Sequence, residues 1–342
     1  MEKAIRIHNR IMLKKVLDPD NQLFALARQG SINIPKFKSK SLQGIWEFLY
    51  PLFVFFYAGL IPLLSSFCSL PVLVMNIARE RFSPSIINNP TDFDSPLVAS
   101  MFLVFSFFPI FLYVWGWLVV FERRMFWTTG LERNGILQKY GRGALVGFVM
   151  ITIPVVLLAM GGLLQFESDP AAWEGWSAVP GVLILLVGWL VQGAAEETLT
   201  RGFLLPIFGI RFNPFWGVMI SSGLFASLHL FNANLNWIAM TNLFLFGVFA
   251  CIYAMQEGSL WGVFAIHSLW NWAQGNLFGL EVSGSKFGAT TLLNLKEVGP
   301  DLLTGGAFGP EGGFAVTLVL ITGCVIVYYI AAHKPRFFVK PS

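Results

Sequence analysis

The chain has 342 residues, of which 55% are hydrophobic and only 12% are Asp, Glu, Lys or Arg. Soluble domains carry about 25% charged residues, so this charge density is too low to cover a water-exposed surface and excludes an ordinary soluble enzyme. The 34 Phe and 12 Trp residues exclude a disordered chain. The composition therefore predicts an all-α, polytopic integral membrane protein. In such a protein the net charge of +4 indicates a basic cytoplasmic side, and no nucleic-acid partner is expected.

Eight apolar runs are candidate transmembrane helices, because crossing about 30 Å of hydrocarbon takes about 20 residues. The runs are continuously apolar and do not alternate, so a β-barrel is not expected. In chain order they cover 47–77, 96–121, 144–165, 179–208, 214–231, 237–256, 259–278 and 314–332. The sequence therefore predicts a bundle of about eight transmembrane helices.

Lys and Arg residues are distributed unevenly over the two ends of this bundle. With both termini in the cytoplasm, nineteen of the 23 lie on the cytoplasmic side, and the other side keeps Arg79, Arg81, Lys286 and Lys296. Cytoplasmic segments are enriched in Lys and Arg, so the asymmetry predicts that both termini are cytoplasmic. No retention or transit signal is visible, which favours a bacterial plasma membrane.

Charged side chains within a membrane span cost at least about 2.5–3.5 kcal/mol, and they therefore indicate a functional site. Helical spacing places Glu197 beside Arg201 and His267 beside Asn271, whereas Glu196 points about 100° away from Glu197. Counted along the helices, the groups lie at one depth, which predicts a polar cavity open to one side. The fourth run carries Glu196, Glu197 and Arg201, the fifth carries Phe225 and His229, and the seventh carries His267 and Asn271.

This set of side chains is typical of two kinds of hydrolytic site. A glutamate beside an imidazole can remove a proton from water, while a second imidazole with an amide can stabilise the resulting oxyanion. Alternatively, Glu196, His229 and His267 supply three ligands of a metal ion whose fourth position holds water. The residues leave both open: the glutamate-type site needs no cofactor, and the other needs Zn2+.

The three motifs Glu-Glu-x-x-x-Arg, Phe-x-x-x-His and His-x-x-x-Asn occur in this order on the fourth, fifth and seventh runs. They resemble the signature of the CPBP family of intramembrane proteases, which includes the type II CAAX prenyl endopeptidases. The resemblance covers about residues 140–278. It implies an eight-span fold and an endopeptidase that hydrolyses a peptide bond in a membrane-associated or lipidated protein substrate, the prenylated CAAX type being the best known.

The resemblance also implies a role for each motif residue. It makes Glu196 the catalytic base, with His229 as its partner in activating water. It assigns the oxyanion site to His267 and Asn271. The supporting residues are Glu197, Arg201 and Phe225.

Two other classes of protein remain open. Intramembrane Glu and His side chains also form the relays of proton- or ion-coupled transporters. The sequence shows no duplicated halves of the kind that transporters commonly contain. The second alternative is a non-catalytic membrane scaffold, since some members of the resembled family are thought to act without proteolysis.

The chain divides into five regions. We expect the 1–45 arm to lie on anionic lipid as a weakly amphipathic helix or to stay loosely ordered. We expect the 279–313 loop to be flexible and assign it no chemistry. Cys68, Cys251 and Cys324 lie in apolar stretches and are odd in number, so no disulfide framework is expected. The regions are a basic cytoplasmic arm (1–45), N-terminal transmembrane helices and a cytoplasmic loop (46–139), a catalytic transmembrane core (140–278), a glycine-rich outer loop (279–313), and the last transmembrane helix with a basic tail (314–342).

Overall fold

The computed structural model of the chain describes residues 15–29, 39–82, 95–167, 173–287 and 290–333. The start of the basic arm, with its predicted amphipathic helix, and the basic tail after residue 333 lie outside these ranges. Within them the chain is mostly helical, and several helices are long and apolar enough to cross a membrane. The all-α polytopic membrane fold predicted from the composition is therefore confirmed.

The described residues are mostly helical and contain little sheet. Short π-helical segments extend three of the helices, to Glu122 after α4, to Leu204 after α6 and to Leu277 after α10. In chain order the helices are α1 (Gln22–Gln29), α2 (Lys40–Ser66), α3 (Leu70–Phe82), α4 (Pro96–Trp117), α5 (Ile136–Met160), α6 (Val179–Glu197), α7 (Leu205–Arg211), α8 (Pro214–Ser227), α9 (Trp237–Glu257), α10 (Trp261–Trp272), α11 (Asp301–Thr304) and α12 (Phe314–His333).

Six helical stretches of the described residues meet the length and hydropathy of a membrane span. Two of the eight predicted runs form shorter helices, since α8 has 14 residues and α10 has 12. The count of about eight crossings therefore stays a prediction. The six long stretches are Lys40–Ile77, Pro96–Glu122, Ile136–Met160, Gly175–Arg211, Trp237–Glu257 and Phe314–His333.

Local sequence sets the ends of α8 and α9. The side chain of Asn213 accepts a hydrogen bond from the Trp216 N–H at 3.1 Å, and that of Asn236 accepts one from the Ala239 N–H at 2.8 Å. A side-chain oxygen at this position satisfies an N–H that the first helical turn leaves free. At the other end of α9, Gly258 has a left-handed φ of 69°, which glycine adopts readily. The chain can therefore reverse directly into α10.

Glycines bring α10 into backbone contact with α5 and α6. A Cβ atom at Gly147 on α5 would lie 2.3 Å from the carbonyl oxygen of Ile266 on α10. A Cβ atom at Gly193 on α6 would lie 2.8 Å from the backbone nitrogen of Ser268. Because the helices touch at these points, the side chains that follow on α6 and α10 face each other at short range.

The bundle has two ends that differ in construction. At the first, the side chain of Lys15 donates to the carbonyl oxygen of Ala332 at 3.2 Å, so the first and last described segments meet. At the second, Asn232 donates to the carbonyl oxygen of Ser283 at 2.9 Å. We call the first the basal end, with residues 15–29, 123–135 and 331–333. We call the second the loop end, with the described residues of 161–178, 228–236 and 279–313.

Short strands and side-chain hydrogen bonds tie the 279–313 connection to the bundle. The strand β1 (Leu164–Phe166) pairs antiparallel with β4 (Leu295–Glu297), and β2 (Trp173–Glu174) pairs parallel with β3 (Thr290–Thr291). The side chain of Asn242 on α9 donates to the carbonyl oxygen of Glu311 at 2.8 Å. The connection that the sequence predicted to be flexible is thus anchored at several points.

Replacing Gly147 with alanine should destabilise the bundle. The new methyl group would overlap the backbone of α10, and overpacking of this kind costs about 1–3 kcal/mol. Gly141→Ala is the matched control, because a Cβ atom at Gly141 on the same helix has no neighbour within 4 Å. We expect the thermal unfolding midpoint in detergent to fall for Gly147→Ala and to stay or rise for Gly141→Ala. Equal midpoints would contradict the close packing of α5 on α10.

The carboxyl group of Glu297 should make stability depend on pH. Both of its oxygens are buried, and burial raises its pKa to about 8. The folded chain therefore keeps a proton that the unfolded chain releases, and the free energy of unfolding falls as pH rises from about 5 to about 8. We expect the unfolding midpoint of the wild type to fall over this interval more steeply than that of Glu297→Gln. Parallel curves for the two proteins would refute the expected proton uptake.

Candidate active site

The centre of the site is a buried carboxylate shared by two donors. Oε1 of Glu197 accepts a hydrogen bond from Nη1 of Arg201 at 3.0 Å and lies 2.9 Å from Nδ1 of His267. Glu197 and Arg201 are fully buried, and the pair predicted from their spacing is present. We place a proton on Nδ1 of His267, because the atom facing it is a carboxylate oxygen. The shared oxygen therefore orients the His267 ring.

Glu196 faces a different direction from its neighbour, as the helical period requires. Its Oε2 atom lies 3.7 Å from Nε2 of His267 and has no hydrogen-bond partner among the described residues. The two adjacent glutamates thus approach opposite nitrogens of one imidazole. Glu197 holds the ring, while the Glu196 side chain, which is 13% exposed, lines the cavity.

The cavity beside Glu196 has a volume of about 570 Å³. The predicted site residues Glu196, His229, His267 and Asn271 all line it, so the structure brings together side chains from three separate runs of the sequence. The opposite wall is apolar and comes largely from α2 and α4. Its members include Pro62, Phe102, Leu103, Phe107 and Ile110.

Phe225 packs among the charged and imidazole groups. Its ring lies 4.6 Å from the guanidinium carbon of Arg201. Ring centroids are 5.0 Å apart for Phe225 and His229, and 5.8 Å apart for Phe225 and His267. A cation over an aromatic face is stabilised in a water-poor environment. Phe225 therefore supports the site by contact, as its position in the motif implied.

His229 does not lie on a helix, and the helix predicted over 214–231 is wrong at its end. α8 ends at Ser227, and His229 follows in a turn. Nδ1 of His229 lies 2.8 Å from the carbonyl oxygen of Phe225, so we infer that Nδ1 donates a hydrogen bond to this oxygen. The Nε2 atom of His229 takes no part in that bond. Within the described residues no hydrogen bond joins His229 to Glu196. The imidazole next to Glu196 is that of His267.

Gln192 is a site residue that the sequence analysis missed. The side-chain amide of Asn271 donates to Oε1 of Gln192 at 3.0 Å, and both residues line the cavity. Gln192 precedes Glu196 by four residues and so shares its helix face. That spacing was the available signal.

Glu311 is the second missed residue, and it comes from the glycine-rich connection. Its Oε2 accepts hydrogen bonds from the backbone N–H and the hydroxyl of Ser283, at 2.9 and 2.8 Å. The side chain lines the same cavity as Glu196, and burial raises the pKa of its carboxyl group. A single Glu between glycines carries no periodic signal, so its place in the site was not predictable from the sequence.

The metal-dependent alternative stays a prediction. Among the described residues, no group of three or more His, Cys, Asp or Glu side chains is arranged to hold a metal ion. Nδ1 of His229 and Nδ1 of His267 lie at hydrogen-bond distance from a Phe225 carbonyl oxygen and a Glu197 carboxylate oxygen. A histidine that binds a metal commonly makes such a bond with its other nitrogen, so these contacts do not decide between the two kinds of site.

Fold and site together define a polytopic helical membrane protein with a Glu/His centre inside its bundle. Residues 178–273 match the family of type II CAAX prenyl endopeptidases described as Rce1-like, and this segment contains all the motif residues. The resemblance read from the three motifs is thereby confirmed for this part of the chain. A similar protein, described as an uncharacterized 24.3 kDa protein of Escherichia coli, is 28% identical over 164 residues, which cover 46% of this chain and 73% of that protein. No solved structure matches the chain.

Removing the Glu311 carboxylate should loosen the loop end. Glu311→Ala leaves the N–H and hydroxyl of Ser283 without their acceptor, and such loss costs about 1–3 kcal/mol for buried groups. We expect a lower unfolding midpoint and faster amide exchange at Ser283 and Gly284. The control is Glu281→Ala, because Glu281 pairs with the exposed Lys286 at 3.5 Å and such a surface pair contributes about 0–1 kcal/mol. Similar effects in both variants would show that the hydrogen bonds from Ser283 to Glu311 do not stabilise the loop end.

Proposed function

We propose that the chain is an intramembrane endopeptidase in which Glu196 activates the attacking water. The observation that carries this proposal is the Glu196 side chain, which lines the cavity, keeps 13% of its surface exposed and places Oε2 3.7 Å from Nε2 of His267. A general base needs a carboxylate that water can reach. The separation is longer than a direct hydrogen bond, so the Glu196 carboxylate is not tied to this imidazole.

The proposed reaction begins with water bound at Glu196. The Glu196 carboxylate accepts one proton from this water while the oxygen forms a bond to the peptide carbonyl carbon. The tetrahedral intermediate then loses its C–N bond, and the proton held by Glu196 passes to the leaving nitrogen. The products are a carboxylic acid and an amine, so the protein is returned unchanged. His229, across the cavity, is proposed to orient the water through its Nε2 atom.

The negative charge on the carbonyl oxygen requires donors from the cavity wall. Asn271 supplies an amide group with two hydrogens, of which Gln192 takes one at 3.0 Å. His267 in its doubly protonated form donates from Nε2 while Nδ1 stays on Glu197. Both residues lie on α10, whose backbone contacts α5 and α6, so the donors are positioned before substrate binds.

The apolar wall supports a membrane-associated substrate. Leu103, Phe107 and Ile110 of α4 line the cavity that also holds Glu196, and α4 is long and apolar enough to cross a membrane. A peptide with a lipid or an apolar segment next to the scissile bond can place that part against this wall. A panel of lipidated peptides can test this, and the prenylated CAAX peptide is the first one to include.

We also propose that the reaction needs no metal ion, because the side chains are not arranged as a three-ligand set. Hydrolysis should then continue after thorough chelation. Loss of activity on chelation and its return with Zn2+ would refute this part of the proposal and leave the endopeptidase activity itself established.

The variant Glu196→Gln should lose peptide hydrolysis. The amide has nearly the same shape but cannot accept a proton, and general-base catalysis contributes about 10²–10⁴-fold to the rate. We expect kcat on a lipidated peptide panel to fall by at least about 100-fold, with the unfolding midpoint unchanged. Glu281→Gln, on the outer surface of the loop end, is the control and should keep the wild-type rate.

The same measurement separates the proposal from its alternatives. A transporter or a scaffold would cleave no peptide in the wild-type form. Retained cleavage by purified Glu196→Gln would show that another group is the base. Cleavage by the wild type alone supports the proposed role of Glu196.

A further inference from the structure

The cavity lies in the half of the bundle next to the loop end. α9 and α12 begin at this end, and their lining residues lie in the first half of each helix, at 242–246 and 316–320. α10 begins at the basal end, and its lining residues, 267–271, lie in its second half. Helices that begin at the loop end and a helix that begins at the basal end therefore all place the cavity residues closer to the loop end.

The rim of the cavity is also built from the loop end. Phe231 is 99% exposed and Ala233 is exposed, and both line the cavity. Ser283 and Glu311 line it from the 279–313 connection. The opening is thus bordered by the segments that join the helices at this end.

The basal side of the site is filled with apolar side chains. Leu199, Phe203 and Leu260 are completely buried below the Glu197–Arg201 pair. At the basal end, the Phe24 ring packs on Gly209, where a Cβ atom would lie 2.3 Å from it. Among the described residues, none from 15–29 or 123–140 lines the cavity. The described residues therefore leave no entrance for a substrate from this side.

The two ends differ strongly in basic residues. Among the described residues, nine Lys and Arg lie at the basal end or in the helix ends that adjoin it, and only Lys286 and Lys296 lie at the loop end. The nine are Lys15, Arg28, Lys40, Arg123, Arg124, Arg133, Lys139, Arg142 and Arg211. Cytoplasmic segments carry this kind of excess. The basal end is therefore expected to face the cytoplasm.

Taken together, these observations assign a side of entry. We infer that the cavity opens to the non-cytoplasmic side of the membrane, and that its substrates are membrane-anchored peptides presented at that face. Only the substrate part rests on the proposed endopeptidase function. The side of entry follows from the geometry and the charge distribution alone. A protein confined to the cytoplasm cannot then reach Glu196.

Cysteine labelling tests the side of entry without any activity. Cys68 is exposed, so Cys68→Ser serves as the background, with Cys251 buried and Cys324 half-buried. Ala233→Cys reports the rim, and Leu137→Cys, at a position that is 86% exposed near the basal end, is the matched control. A membrane-impermeant maleimide should label Ala233→Cys in sealed right-side-out vesicles and Leu137→Cys in inside-out vesicles. Any other pattern, after subtraction of the background protein, would overturn the inference.

Hydrolysis in the same vesicles tests the substrate part. A membrane-impermeant peptide that the detergent-solubilised protein cleaves should be cleaved at least about tenfold faster by right-side-out than by inside-out vesicles. Preferential cleavage by inside-out vesicles would overturn the inference. Absence of cleavage even in detergent would refute the proposed function instead, while the labelling result would still decide the side of entry.

Discussion

The arrangement of the site depends on one buried oxygen atom, Oε1 of Glu197. It accepts from Arg201 and His267 in a region without exposed surface, and loss of one partner from such a pair costs about 3–5 kcal/mol. Yet Oε2 of Glu197 and two nitrogens of Arg201 have no hydrogen-bond partner among the described residues. A protein in which apolar side chains replace such a buried ion pair is often equally stable or more stable. The pair is therefore better explained by its effect on geometry than by stability, since it fixes the imidazole ring of His267 on α10 against α6.

The part of this arrangement that depends on helical spacing was predictable from the sequence. Glu197 and Arg201 are four residues apart, and a charged pair within an apolar run has few stable alternatives to mutual contact. The gathering of three motifs around one cavity also followed from their similar depth. These predictions needed only the helix period and the cost of burying charge, both of which are local properties of the chain.

The remaining features depend on tertiary contacts that no local pattern encodes. The apolar run through Leu228, Leu230 and Phe231 gives no sign that α8 ends at Ser227, because a turn exposed to lipid or to a cavity can be as apolar as a helix. Glu311 enters the site through its bonds to Ser283, 28 residues away. The approach of His267 to Glu196 likewise depends on glycines that let α10 approach α6.

Two adjacent glutamates with different surroundings can perform different tasks in one reaction. Glu197 is fully buried and bonded to two donors, so its charge is already used in holding His267. Glu196 is partly exposed and lines the cavity. In the proposed reaction, proton transfer at Glu196 changes the charge beside Nε2 of His267, while Glu197 keeps the charge beside Nδ1 constant. The imidazole can therefore stay in place as negative charge moves from the Glu196 carboxylate to the substrate oxygen, which is the condition for a preorganised site.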